Sequence, residues 1–400
     1  MPARLGSQFR LLVGSTWVTN LGDGISLAAG PLLVASQTHD PRLVALAPLL
    51  QQLPWLLFGL YAGVVADRVD RRRVVLLGNL ARSAVLAVLV ATVVSGHVSI
   101  VVVLIVLFLF GAAETFVDTT ASTLTPMLVE KADLGIANSR LFASHITVNQ
   151  LVGPPVGAAL FAGGMAWPFV AEVVCLVFGT LLVARIRLPE HGTPPEARNG
   201  VRSDIAEGFR WLWHHPPVRT LALVIITFNI TWGAAWSVLV LYATVHLHMH
   251  EVGFGLLTTS AALGGLVGTT SYGWLERRVP LATLMRACLT LEVCTHLGLA
   301  LAPAPWVAVA ILFVFGAYAF VWGTLSSSVR QRSVPTEFQG RVASVYLVGV
   351  YGGLVVGSAL GGTIAHRYGI TAPFWFAGVG SAVFLALIWR QLPRIVHAEP

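Results

Sequence analysis

The sequence predicts an all-α integral membrane protein: twelve transmembrane helices in two six-helix bundles that repeat each other in the same orientation. Three observations predict it. Of the 400 residues, 56% are hydrophobic and 11% charged, whereas a soluble domain carries about 25% charged residues; so much apolar surface has to face lipid. Twelve apolar runs succeed one another along the chain, each close to the roughly 20 residues that a helix needs to cross a hydrocarbon core. Finally, two separate stretches of the first half recur in the second half at one offset.

The runs are 11–35, 43–66, 74–95, 99–125, 138–163, 167–187, 218–245, 253–275, 281–302, 306–329, 341–365 and 371–391, with Pro, Gly or charge at nearly every break. They are too long for barrel strands, which need about 10 residues each. The repeat is seen in "RVVLLGNLAR" (Arg73 to Arg82) against "RRVPLATLMR" (Arg277 to Arg286), and in "GPPVGAAL" from Gly153 against "GSALGGTI" from Gly357. Both correspondences lie 204 residues apart. Six spans separate the copies, so both halves face the same way, as in transporters with a repeat axis along the membrane normal.

Charge orients the chain. With the N-terminus in the cytoplasm, 21 of the 25 Lys and Arg residues fall in cytoplasmic segments or at the cytoplasmic ends of the runs, which is the positive-inside bias. Arg42 and Arg367 fall outside; Arg82 and Arg286 fall within spans. Both termini are then cytoplasmic and the location is the plasma (inner) membrane, multi-pass. The net charge of +7 is this bias and not a nucleic-acid surface, because no basic face alternates with stacking aromatics. The expected organisation is an N-terminal bundle, 1–190, a cytoplasmic linker, 191–217, and a C-terminal bundle, 218–400. Within the linker, "DIAEGFRWLWHHPP" reads as an amphipathic helix on the inner membrane face, with Phe209, Trp211, Leu212 and Trp213 as its apolar side.

The densest charge lies between the second and third runs, in "GVVADRVDRRR". Gly63, Asp67, Arg68, Arg71 and Arg72 have the spacing of the loop signature of the major facilitator superfamily, which the stretch resembles. Asp70 stands where that signature usually has a second Gly. The resemblance implies a conformational latch: Asp67 caps and pairs with a neighbouring helix, and the arginines join the same network. The second-half copy, "YGWLERRVP", keeps Glu276 and Arg277 but is one residue short, so a latch there is in doubt. In the fifth run, "NQLVGPPVGAAL" resembles the Gly-Pro motif of the family's antiporters; Gly153 and Gly157 permit close helix approach, and Pro154 and Pro155 remove backbone donors. "LGDGISLAAGPLL", "LTPMLVEKADLGIAN" and "FQGRVASVY" look like the bacterial drug-efflux branch related to enterobactin and macrolide exporters.

A charge at the bilayer centre costs at least about 2.5–3.5 kcal/mol and should face a cavity or a partner. Asp23, Glu114, Asp118, Glu172 and Glu292 are such acids. Asp23 shares a polar stripe with Asn20 and Thr16 and has no basic residue of its own run to neutralise it. Glu114 and Asp118, four apart, share a helix face. Arg82 lies about 13 Å into the third span at 1.5 Å per residue, a depth that pairs it with Asp118 and leaves Glu114 free. Asp23, Glu114, Asp118 and Arg82 form the proton-coupling set. Glu172, five residues after Trp167, reads as a side chain that snorkels to the outer surface, with a gate as the alternative, and Glu292 and His296 as a hydrogen-bonded pair.

Asn20, Asn229, Trp232, Trp236, Tyr318 and Trp322 are the candidate cavity lining for a large amphipathic ligand. The histidines of "HLHMH" (His246, His248, His250) are incidental, and no metal site is expected. Nucleophile–base sets and a "GxxxxGK[ST]" phosphate loop are absent from the sequence. The chain is therefore read as no enzyme and no ATP-driven pump, and no cofactor is expected. The expected activity is proton-coupled export of a small amphipathic compound by a monomer in the lipid bilayer, with small-molecule substrate and protons as partners. The alternative is a proton-coupled importer of a small nutrient on the same fold.

Overall fold

A computed structural model describes residues 5–130, 133–188, 201–335 and 338–392. The chain is 88% helical, and the described residues hold no strand. The helices are α1 (Gly6–Gln37), α2 (Pro41–Arg68), α3 (Arg71–Val94), α4 (Ile100–Ser122), and α5, a rod built of Leu134–Ser144, a π-helical stretch His145–Val152, and Gly153–Gly163. They continue with α6 (Trp167–Ala184), α7 (Val201–His214), α8 (Pro216–Trp236), α9 (Glu251–Arg278), α10 (Leu281–Leu301), α11 (Pro305–Ser333), α12 (Gln339–Tyr368) and α13 (Ala372–Ile388).

Ten of these helices are long and apolar enough to cross a membrane: α1, α2, α3, α4, α6, α8, α9, α10, α11 and α12. The rod α5 and the 17-residue apolar α13 stand where the fifth and twelfth runs were expected. The helical architecture is the expected one, and the ten spans with α5 and α13 are consistent with twelve. All-helical spans also follow from the solvent: lipid offers no hydrogen-bond partner, so each backbone group is satisfied within its own helix.

The chain folds into two compact units. One consists of residues 1–38, 50–196 and 250–259, the other of 39–49, 197–249 and 260–400. In the first, Leu5, which precedes α1, and Phe9, Leu12 and Val13 of α1 form a core with Val75 of α3, Val117 of α4 and Val183 of α6. In the second, Leu221, Val224 and Phe228 of α8 pack with Met285 and Leu289 of α10, Leu325 of α11 and Tyr346 of α12.

The π-helical stretch of α5 has a local cause. Pro154 and Pro155 have no N–H to give to the carbonyls four residues back. The Gly153 N–H bonds Val148, five residues back, and widens the turn. The Leu151 carbonyl, which Pro155 leaves without its helical donor, lies 3.5 Å from the Thr259 hydroxyl. The glycines there are required by contact. A Cβ on Gly153 would lie 2.5 Å from the Gly24 Cα, and one on Gly157 would strike the Ile25 backbone of α1.

The repeat seen in sequence has the same packing in each unit. Gly357 and Gly361 of α12, 204 residues after Gly153 and Gly157, meet the backbone of α8 at Ile230 and Ala234. The other repeated pair has diverged. Arg82 is 1% exposed, whereas Arg286 donates to the Trp389 carbonyl at 3.0 Å and stacks over the Trp389 ring.

Candidate functional site

The site in the first unit is organised by Arg82. It sits on α3 one turn after Asn79, whose Oδ1 lies 3.4 Å from it, and the Phe110 ring of α4 lies 4.4 Å from the guanidinium. Its Nη2 is 2.5 Å from Asp23 of α1 and 3.6 Å from Glu114 of α4. One cation thus ties three helices to two carboxylates inside an apolar bundle. This arrangement corrects the expected Arg82–Asp118 pair: Asp118 is exposed one turn further along α4, and Glu114 takes the contact. Asp23 has no basic residue on its own helix, as expected, and takes its counter-ion from α3.

Glu172 is a second correction. It is 0% exposed and turned against α1, where Ser26 donates to its Oε2. Its Oε1 is buried with no hydrogen-bond partner. Gly22 makes room for this approach, since a Cβ there would lie 2.9 Å from the Cys175 Cβ and 3.4 Å from the Glu172 Cγ. The sequence signal was present: Asp23 and Ser26 are one turn apart on α1, so Ser26 continues the polar stripe. Asn20 of that stripe donates to the Ser144 hydroxyl of α5 at 3.0 Å, and the Thr16 hydroxyl bonds the Leu12 carbonyl.

Of the loop between α2 and α3, the Asp67 side chain lies outside the described residues. Arg71 donates through Nε to the Ala66 carbonyl at 3.1 Å, and Arg72 to the Ala184 carbonyl that ends α6. Cations there complement the negative helix ends, an effect of about 0.3–1 kcal/mol each. Arg68 is exposed. Asp70 caps α3, accepting from the Arg73 N–H at 2.9 Å, which accounts for an acid where the signature has Gly. In the second-half copy, Glu276 faces Arg332 of α11 at 3.6 Å.

In the second unit, Glu292 and His296 form the expected pair at 3.1 Å. The Tyr318 hydroxyl donates to Glu292 at 2.7 Å and lies 2.9 Å from Thr295. Tyr318 is buried, so its polar end is engaged within the unit. Trp232 stacks on Phe315 at 4.1 Å and lies 4.7 Å from Trp236. Asn229 donates to the Ile225 carbonyl of its own helix at 2.7 Å, and Trp322 packs against the unit's core.

Apolar helices long enough to cross a membrane, with acids around one buried arginine, make a polytopic membrane protein, and its family and relatives are membrane transporters, not enzymes. The chain matches the transmembrane secretion effector family over residues 3–399 and belongs to it, within the major facilitator superfamily. It is 29% identical over 401 residues to the multidrug efflux pump Tap of Mycolicibacterium fortuitum, covering 96% of this chain and 95% of that protein. It is 25% identical over 403 residues to the enterobactin exporter EntS of Citrobacter koseri, covering 98% and 94%. Among solved structures, a bacterial homologue of the iron transporter ferroportin in an inward-facing state superposes with a TM-score of 0.74 at 16% identity, over 96% of this chain and 98% of that one. The nucleoside transporter NupG does so with 0.74 at 11% identity, over 98% and 100%. These structures share the fold.

Proposed function

We propose that this protein exports a small amphipathic compound (a drug, siderophore or secondary metabolite) in exchange for protons, by alternating access. The proteins it resembles over nearly their whole length include a multidrug pump and a siderophore exporter. The observation that carries proton coupling is the charge balance of the first unit. Asp23 and Glu114 share a single buried cation, Arg82, and a third acid, Glu172, is buried against α1 with Ser26 as its donor. Protons or a cationic cargo have to balance the surplus carboxylate, and loading one excludes the other. That competition couples the two fluxes.

In this reading the halves 1–190 and 218–400, joined by 191–217, move as bundles in the plasma membrane of a monomer with both termini cytoplasmic. Gly63, Asp67, Arg68, Arg71 and Arg72 form the latch between states. Asn20, Asn229, Trp232, Trp236, Tyr318 and Trp322 are the proposed cargo contacts, and Gly153, Pro154, Pro155 and Gly157 shape the fifth span. The test is a vesicle reconstituted with the protein and given an imposed pH gradient. Asp23→Asn should abolish uphill, proton-driven movement of a fluorescent amphipathic probe and spare downhill exchange. Undiminished uphill accumulation removes Asp23 from the coupling set, and Glu114 then leads it.

A further inference from the structure

The second unit carries a feature that transport chemistry does not use. The amphipathic helix α7 is docked on α8 and α12 by only part of its apolar side. Leu212 is buried in the core, Trp211 stacks on Phe338 at 5.7 Å, and Glu207 pairs with Arg341 at 3.0 Å. Phe209 and Trp213 stack on each other at 5.8 Å yet remain 52% and 50% exposed. They flank an open crevice between α7, α8 and α12.

The crevice has one apolar wall and one charged end. Arg219, Leu223 and Ile226 follow one face of α8 into the span, over about 10 Å at 1.5 Å per residue. Val345 and Gly349 line it from α12. The hydroxyl of its one tyrosine, Tyr346, bonds the Val218 carbonyl at 3.1 Å. The charged group on the lining is Arg219, which stands over the Trp213 ring at 5.5 Å and donates to the Trp213 carbonyl at 3.1 Å. Arg210 is exposed on α7, and Glu207, the single acid among the described side chains of α7, pairs with Arg341.

A peptide laid in this crevice would bury backbone N–H and C=O groups with nothing to bond, which is costly. A hydrocarbon chain needs no partner there. Basic pockets at the ends of membrane spans take anionic lipid headgroups. We propose that the crevice holds one acyl chain of an anionic phospholipid of the surrounding bilayer, with its phosphate on Arg219. The lipid fills the gap between α7 and the span that follows it.

The test uses the full chain purified in detergent, with dioleoyl phosphatidylglycerol and dioleoyl phosphatidylcholine as probes. Native mass spectrometry should show one phosphatidylglycerol retained, with about tenfold preference over phosphatidylcholine. Arg219→Gln should reduce that preference to less than twofold. Leu223→Trp, at a position 41% exposed, should fill the crevice and lose both lipids. Independently of any crevice-filling variant, phosphatidylglycerol with brominated acyl chains should quench the parent's fluorescence more than that of Trp213→Phe, by about one tryptophan's share. Retention by Arg219→Gln and Leu223→Trp equal to the parent, or quenching equal with and without Trp213, overturns the proposal. So does a lipid-free dimer as the retained species, which would give the crevice to a second copy of the chain.

Discussion

Arg82 of α3 and Asp23 of α1 meet at 2.5 Å, 59 residues apart in sequence, with the arginine 1% exposed. A second carboxylate, Glu114, stands 3.6 Å from the same guanidinium nitrogen, and the Phe110 ring closes another side. The three charges join the first, third and fourth helices of their unit around an arginine that is itself buried, so the carboxylates and the cation depend on each other.

Breaking a buried pair by removing one partner costs about 3–5 kcal/mol, because the remaining charge is stranded. Arg82→Ala should therefore lower the melting temperature of the detergent-purified protein sharply. In a double-mutant cycle with Asp23→Ala, the effects should fall short of additive by about 0.5–3 kcal/mol. Asp118→Ala should add to Arg82→Ala with no coupling. If Asp118 couples and Asp23 does not, the assignment of the ion pair is wrong.

The two glycine motifs separate by the same kind of measurement. A methyl at Gly157 meets the α1 backbone at Ile25, which has no flexible end to move aside, whereas nothing lies within 4 Å of a methyl at Gly63. Gly157→Ala should cost about 1–3 kcal/mol or more, as overpacking does. Gly63→Ala should leave the melting temperature within about 1 °C or raise it, because Ala is the better helix former. Equal melting of both variants would show that α1 and α5 do not approach this closely.

Ser26 is the hydrogen-bond donor to Glu172. Ser26→Ala leaves a buried carboxyl without a donor and should cost about 1–3 kcal/mol. Glu172→Gln keeps an oxygen for the Ser26 hydroxyl and should cost less. The order of the two melting temperatures is the readout. If Glu172→Gln melts lower than Ser26→Ala, the contact is not what stabilises the α1–α6 packing.

Tyr318→Phe removes the donor to Glu292. A hydrogen bond contributes about 0.5–1.5 kcal/mol, so the variant should melt lower than the parent. Because the hydroxyl is engaged by Glu292 and the proposed cargo contact is the ring, which Phe keeps, probe affinity in an equilibrium binding assay should change less than twofold. A variant that melts like the parent but binds tenfold more weakly would place the hydroxyl on the cargo and not on Glu292.

The sequence by itself determined the helical class, the succession of apolar spans, the two-fold repeat and its 204-residue offset, because hydropathy and spacing are local properties of the chain. It also singled out the acids of the first half, since a charge within an apolar run is visible without knowing its neighbours. Which of them meet was decided by tertiary structure. Counting along a helix gives depth to about one turn, and Glu114 and Asp118 differ by one turn on the same face, so Arg82 was matched to the wrong one. Glu172 was misplaced for a related reason. Its position near the start of α6 suggested the surface, but burial is set sideways by what packs against the helix, and Gly22 lets α1 come close enough to enclose it. Each residue turns the side chain by about 100°, so the partner a side chain finds depends on the rotation of two helices about their axes, which only their packing fixes.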